Sequence, residues 1–293
     1  MSLDDPVVIT CAISGAIANR EQCPAIPYTP EEYAAEARRI VDEGGVHIHI
    51  HARTREGDPS YEVEDFIAIK EAIQAEVGDR AIINFSTGTV GVPVEKRIAY
   101  LEAGCPEVAA LNMGSMNYAK YSAKRRDFVF KFVFANPFDE IIELLQAMRR
   151  LNIKPEHECF DLGHVGSLTP LVDMGLLDAP LHADFVMGVV GGVPASALNL
   201  AAMARNLPAG RHHWGVIGIG RDQWMLVAAA LTLGGSIRVG LEDNFYLPGG
   251  EMARSNGELI AQARRMTEEV GRRPSTVQEA RELLGVRARE PAA

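Results

Sequence analysis

Eight short apolar segments alternate with helix-forming segments along almost the whole chain, and this rhythm restricts the fold more than any other feature. The strand candidates are residues 7–13, 47–51, 81–85, 108–111, 158–161, 182–187, 213–217 and 237–239. The first is a β-branched run of the kind buried on both faces of a sheet. Helical patterns follow at 29–42, 63–76, 93–103, 136–150, 165–174, 194–205, 222–233 and 255–270, with one more at 275–284. At the first of these, Thr29 can cap the opening turn, Pro30 occupies the first helical position and Glu32 completes a capping box. Residues 128–134 are apolar and short, and read as an accessory strand or a buried loop. Eight strand–helix units with no Pro/Ser-rich linker predict a single (β/α)8 TIM barrel over 1–293, with a short C-terminal helical extension from about 274. A doubly wound open sheet would usually have fewer strands and would divide more naturally at this length.

Charge and cysteine content remove several function classes. Lys and Arg number 29 against 39 Asp and Glu, a net charge of -10, which argues against a nucleic-acid footprint. The short basic run Lys124-Arg125-Arg126 reads as a solvated loop or a contact for a phosphate-bearing ligand. The four cysteines are widely spaced without a CxxC pair, as expected of reduced thiols in the cytoplasm. No apolar run approaches the roughly 20 residues that span a bilayer, and the N-terminal residues lack the pattern of a signal peptide.

The chemistry is concentrated in His47-Ile48-His49-Ile50-His51. A strand has a side-chain period of two, so the imidazoles share one face and the isoleucines the other. Two neutral imidazoles one residue apart can converge on a divalent metal, and two histidines plus one carboxylate form a catalytic zinc arrangement with an open position. Either Glu242 or Asp243, beyond the last strand, could supply the carboxylate, leaving the other as a base. In a barrel the strand ends converge, and here they carry Ser14, His49, His51, Arg53, Ser86, Asn112, Asp161, His164, Arg221, Arg238, Glu242 and Asp243. Glycines at 188, 191 and 192 and the run Gly218-Ile219-Gly220-Arg221 suggest an anion-binding edge, although neither matches a nucleotide fingerprint.

These motifs resemble the β-keto acid cleavage enzyme family. The resemblance rests on His49-Ile50-His51-Ala52-Arg53 with Gly57-Asp58-Pro59-Ser60 behind it. It continues through Thr29-Pro30-Glu31-Glu32, Ser86-Thr87-Gly88, Leu111-Asn112, Gly191-Gly192, Gly218 to Arg221 and Arg238 to Asn244. It implies a homotetrameric TIM barrel that binds Zn2+ through His49, His51 and Glu242, condenses a β-keto acid with acetyl-CoA, and releases acetoacetate and a new acyl-CoA. Asp243 would then remove the proton beside the ketone with the help of Arg238. Ser86, Thr87, Gly88, Asn112, Gly191, Gly192 and Arg221 would line the substrate pocket. His47, Arg53 and Asp161 would lie behind these groups. Ile17 and Ala110 replace the acid and the threonine that suit an amino substrate, so the expected keto acid has a neutral, more apolar far end. The competing expectation is another divalent-metal-dependent barrel aldolase or hydrolase that does not use CoA.

Overall fold

The computed structural model describes residues 2–287. Its chain runs β1 (Ile9–Ala12), α1 (Pro30–Asp42), β2 (His47–Ile50), α2 (Val63–Val77), β3 (Ile82–Ser86), α3 (Val94–Gly104) and β4 (Val108–Asn112). A hairpin of β5 (Met116–Ser122) and β6 (Asp127–Phe134) interrupts the rhythm before α4 (Phe138–Arg150) and β7 (Lys154–Cys159). The short helices α5 (Leu162–Gly166) and α6 (Leu168–Asp173) lead to β8 (Leu181–Met187), α7 (Ala197–Arg205), β9 (His212–Gly218) and α8 (Gln223–Thr232). The last barrel strand is β10 (Ser236–Val239), followed by α9 (Asn256–Glu269) and α10 (Val277–Leu284).

Eight strands close a parallel barrel in the order β1-β10-β9-β8-β7-β4-β3-β2, which with its surrounding helices is a (β/α)8 TIM barrel. Strand alternation sorts the residues between its two sides. Ile9, Cys11, Ile48, Ile50, Ile83, Phe85 and Val216 join helix residues such as Tyr33, Ile40 and Phe66 in the main apolar core. The alternate positions, including Thr10, His47, His49, Asn84, Glu156, His182 and Arg238, are also buried but polar, and fill the inside of the barrel. Beneath them Val8, Val46, Ile82 and Val108 pack against Ala280 and Leu284, so α10 plugs the end opposite the strand C-termini. Thr276 and Glu279 start that helix with a capping box, and Ser275 N–H donates to Val7 O across 2.8 Å, docking it to the first strand.

Several expected boundaries shift for identifiable reasons. Residues 112–117, expected as a loop, include the first residues of β5, and 127–134 is its antiparallel partner, so the accessory strand belongs to a hairpin and not to the barrel. Strand β7 begins at Lys154 and ends at Cys159 instead of spanning 158–161, because its inward positions Glu156 and Glu158 hide the apolar pattern by which a strand is recognised. The helix expected at 165–174 divides into α5 and α6 at Ser167. At α1 the capping box forms with Thr29 as N-cap and Pro30 inside the first turn, as its sequence predicts. The expected extension from about 274 corresponds to α10, while residues 288–293 lie outside the described residues.

Candidate metal centre and active site

The C-terminal mouth of the barrel brings together residues from β2, β7 and the segment after β10. His49 is buried in β2, and His51 lies just beyond that strand with its side chain 14% exposed. Tyr33 fixes the backbone there: its hydroxyl donates to His51 O at 2.7 Å and lies 2.6 Å from Ser14 Oγ. Glu242 reaches the pair from the opposite end of the chain. Its Oε2 stands 3.8 Å from His49 Nε2, and its Oε1 stands 3.4 Å from His51 Nε2. Ligand atoms about 2.0–2.2 Å from a tetrahedral ion lie about 3.4 Å apart, and one ligand atom from each of the three side chains lies within 4.8 Å of the others, which makes the cluster a candidate site for a divalent cation. Glu242 Oε2 is buried without a hydrogen-bond partner among the described residues, which leaves it free to ligate an ion.

Two glycines make this approach possible. A Cβ on Gly15 would lie 2.7 Å from Glu242 Cγ, and one on Gly240, at φ +141°, would lie 2.1 Å from Ala12 O. The turn after β10 is further tied by Glu242 N–H to Ala12 O at 3.2 Å and by Gly220 N–H to Asp243 O at 2.8 Å. Asn256 carries the same junction to the outer helices: its Oδ1 accepts from Leu241 N, while its Nδ2 donates to Ile13 O and to Glu36 Oε2.

Arg238 organises the carboxylates. Its Nε donates to Asp243 Oδ2 at 3.0 Å and its Nη2 to Asp243 Oδ1 at 3.1 Å, a bidentate pair inside the barrel. Nη2 also reaches Glu242 Oε1 at 2.9 Å, and Nη1 reaches Glu158 Oε1 at 2.9 Å. Burial pushes Asp243 up to about 6, because the opposing pull of Arg238 is partly offset by the charge of Glu242. Burial works against ionised Glu242, yet His51 and Arg238 hold it well below the usual carboxylate range. His49 is kept neutral, first by burial and then by Arg238, which is the protonation state a metal ligand requires. The two adjacent acids are thus pushed in opposite directions, one toward ligation and the other toward proton exchange near neutrality.

The other expected residues divide into those near the mouth and those that build its walls. Ser86 Oγ accepts the Gly88 N–H at 3.2 Å, and a Cβ on Gly88 would lie 3.1 Å from Asn112 Nδ2, so these three meet on one wall. Thr87 instead donates to Ala110 O at 2.5 Å and braces β4. Gly191 and Gly192 pack against other backbone: a Cβ on Gly191 would meet Asn117 O of the hairpin, and Gly192 N–H donates to Val189 O. Arg53 is a buried clamp whose guanidinium donates to the carbonyls of Ser14, Gly15, Gly57 and Ala18. Asp161 is exposed and caps α5 through Gly163 N–H, which separates it from the role behind the metal residues that was expected of it. Arg221 is exposed too, its guanidinium 4.4 Å from the Tyr246 ring centroid. His47 lies one pleat below His49, 3.0 Å from Thr10 Oγ1 through Nδ1.

Sequence reasoning missed Glu158, the acid on the far side of Arg238, and a polar layer under the mouth formed by Glu156, His182, Asp184 and His213. Among the described residues, His49–Glu156–Glu158 and Glu156–His182–Asp184 also bring potential metal-binding atoms together. Both are wholly buried, whereas His51 and Glu242 keep the first cluster open to the mouth. The signal for the missed residues was the same period-two polarity as in the histidine strand: Glu156 and Glu158 alternate with His157 and Cys159, and His182 and Asp184 with Ala183.

A closed parallel barrel with a candidate metal site at its C-terminal rim defines the class: a TIM-barrel enzyme scaffold. Comparison with known proteins supplies the family. Residues 6–286 match the family described as beta-keto acid cleavage enzyme, and the chain belongs to it. It is 35% identical to the 3-keto-5-aminohexanoate cleavage enzyme of Fusobacterium nucleatum over 97% of this chain and 99% of the relative. It is 33% identical to the 3,5-dioxohexanoate:acetyl-CoA acetone transferase of Paraburkholderia graminis, over 97% of each chain. Among solved structures, a ternary complex of ObcA with a C4-CoA adduct and oxalate superposes with a TM-score of 0.74 at 22% identity. That match covers 89% of this chain and 68% of the other, a likeness of fold.

Proposed function

We propose that the protein is a zinc-dependent β-keto acid cleavage enzyme that condenses a β-keto acid with acetyl-CoA and releases acetoacetate and a new acyl-CoA. The observation that carries this reading is the adjacency of His49, His51 and Glu242 to the Arg238–Asp243 pair at one barrel mouth. Zn2+ held by His49, His51 and Glu242 would act as a Lewis acid on the keto-acid oxygens. Asp243 would take the proton from the carbon between ketone and carboxylate; that carbon would attack the acetyl carbonyl and expel CoA thiolate, which would add to the original ketone and break its bond to that carbon, giving the new acyl-CoA and acetoacetate, which regains the proton from Asp243. Arg238 holds Asp243 by two N–H groups, so the base is oriented before substrate arrives. Ser86 and Asn112 would bind the acid from the opposite wall. The basic run Lys124-Arg125-Arg126 sits at the turn of the β5–β6 hairpin, where it would meet the phosphates of CoA.

The relatives at 35% and 33% identity are named for different keto acids, so overall similarity does not choose the substrate. Ala110, buried beside Ser86 in register, supports a neutral far end, since a buried ammonium would find no partner on it, while Ile17, in the loop after β1, is 59% exposed. The test compares 3-oxohexanoate with 3-keto-5-aminohexanoate, each with acetyl-CoA, at steady state. A higher kcat/KM for the neutral acid is expected, and a clear preference for the amine would remove the substrate assignment. Assembly as a homotetramer belongs to the same proposal.

A further inference from the structure

The barrel interior beneath the metal cluster is ionisable where an apolar filling would be ordinary. Glu156, on β7, is completely buried. Its Oε2 accepts an N–H from Asn84, which stands in register beside His49 on the neighbouring strand. The same oxygen lies 3.9 Å from His49 Nδ1, a buried nitrogen with no hydrogen bond of good geometry among the described residues, and the Asn84 side chain, whose Oδ1 is likewise unpaired, stands beside it. The other nitrogen of that ring, Nε2, is turned toward Glu242. An imidazole that offers one nitrogen to a cation carries its proton on the other, and a buried N–H needs an acceptor. Arg238 already engages Glu158, so that acid is committed elsewhere. On the far side of Glu156, Oε1 faces His182 Nε2 at 3.9 Å, and that nitrogen lies 3.4 Å from Asp184 Oδ2, bracing the carboxyl from below.

We propose that Glu156 is a positioning residue of the metal centre: its Oε2 accepts the Nδ1–H of His49, which fixes Nε2 as the ligand atom and sets the plane of the ring. This rests on the metal reading above. Ligation is expected to draw the pair into hydrogen-bond range, as for other metal-bound histidines whose second nitrogen faces a carboxylate. Asn84 then has a stated task, since it holds the accepting oxygen at the level of His49.

The test measures zinc affinity by competition with a chromophoric chelator for the wild-type protein, Glu156→Leu and Glu156→Gln, alongside the absorption spectrum of each cobalt(II)-loaded form. Glu156→Leu removes the acceptor and is expected to weaken zinc binding by about 10–100-fold and to shift the cobalt spectrum. Glu156→Gln keeps a carbonyl oxygen for His49 and is expected to restore most of the affinity. Equal affinity and an unchanged spectrum in Glu156→Leu would overturn the proposal. Should that variant fail to fold, long-range proton–nitrogen NMR of zinc-loaded wild-type protein decides: His49 protonated at Nδ1 supports it, and protonation at Nε2 overturns it. A wild-type protein that binds no divalent ion overturns the metal reading itself. Tight wild-type binding matched by Glu156→Leu overturns the part assigned to Glu156 alone.

Discussion

At the residue scale the decisive contrast is between two neighbouring acids, Glu242 and Asp243. They share the cation Arg238, yet Glu242 also faces two imidazoles, whereas Asp243 is closed in behind the guanidinium. His49→Ala should therefore lose both bound metal and turnover. Asp243→Asn should retain the metal, measured by elemental analysis of dialysed protein, while kcat falls by about 10²–10⁴-fold. Full activity in Asp243→Asn would assign the base to another group. The same environment sets a pH dependence: burial raises Asp243 above the ordinary aspartate range, so kcat/KM should fall on the acidic side as this carboxylate takes up its proton. A profile flat down to pH 5 would contradict an aspartate base in this position. Gly240 is the backbone counterpart. Gly240→Ala would press a methyl group onto Ala12 O, so displacement of Glu242 and weakened metal binding are expected.

At the scale of elements, the strand–helix rhythm and the histidine-bearing strand were legible in the sequence, because periodicity exposes one face of each. Glu242 as the third member of the cluster was legible through family resemblance, since no spacing links it to His49. The hairpin was only partly legible. Its β6 half reads as an isolated apolar run, and β5 alternates small, polar and aromatic residues that resemble a loop. Yet the hairpin leans over the mouth: Tyr118 and Phe134 pack on Phe160, and Tyr118, its hydroxyl raised first by burial, feels the charges of Glu242, Asp243 and Glu158. If its basic turn holds CoA phosphates, the triple substitution K124E/R125E/R126E should raise the KM for acetyl-CoA at least about tenfold, leaving kcat and the keto-acid KM near wild type. An unchanged acetyl-CoA KM would return these residues to plain solvated surface. At the opposite end of the barrel, Leu284→Ala in α10 should cost about 2–5 kcal/mol in chemical denaturation, since its side chain fills the plug beneath Val8 and Val108.

For the whole molecule, buried ionisable groups give the metal-free protein a signed response to pH. Burial raises Glu156 and Glu158 from 4.5 to about 8, so the folded chain keeps protons that the unfolded chain has released. Their contribution to stability is complete below about 4.5 and is lost as pH rises through about 8. Burial holds His47, His49, His182 and His213 below 6.5, so their contribution is complete above that value and is lost as pH falls. Above about 6.5 the carboxylate effect stands without the opposing histidine effect, and the Tm of the metal-free protein should decline from about pH 6.5 to 8.5. A Tm that rises across that interval would contradict the assigned burial. The polar interior destabilises the metal-free barrel near neutral pH, and a cation at its mouth would offset part of that cost. A carbonyl-labelled acetyl group, followed by mass spectrometry, reports on the proposed transfer between a β-keto acid and acetyl-CoA. With zinc-loaded enzyme, 3-oxohexanoate and labelled acetyl-CoA, labelled acetoacetate is expected together with unlabelled butanoyl-CoA, both abolished by chelation of the metal. Cleavage of the keto acid without acetyl-CoA, or no labelled acetoacetate from any neutral β-keto acid tested with metal-loaded protein, would contradict it.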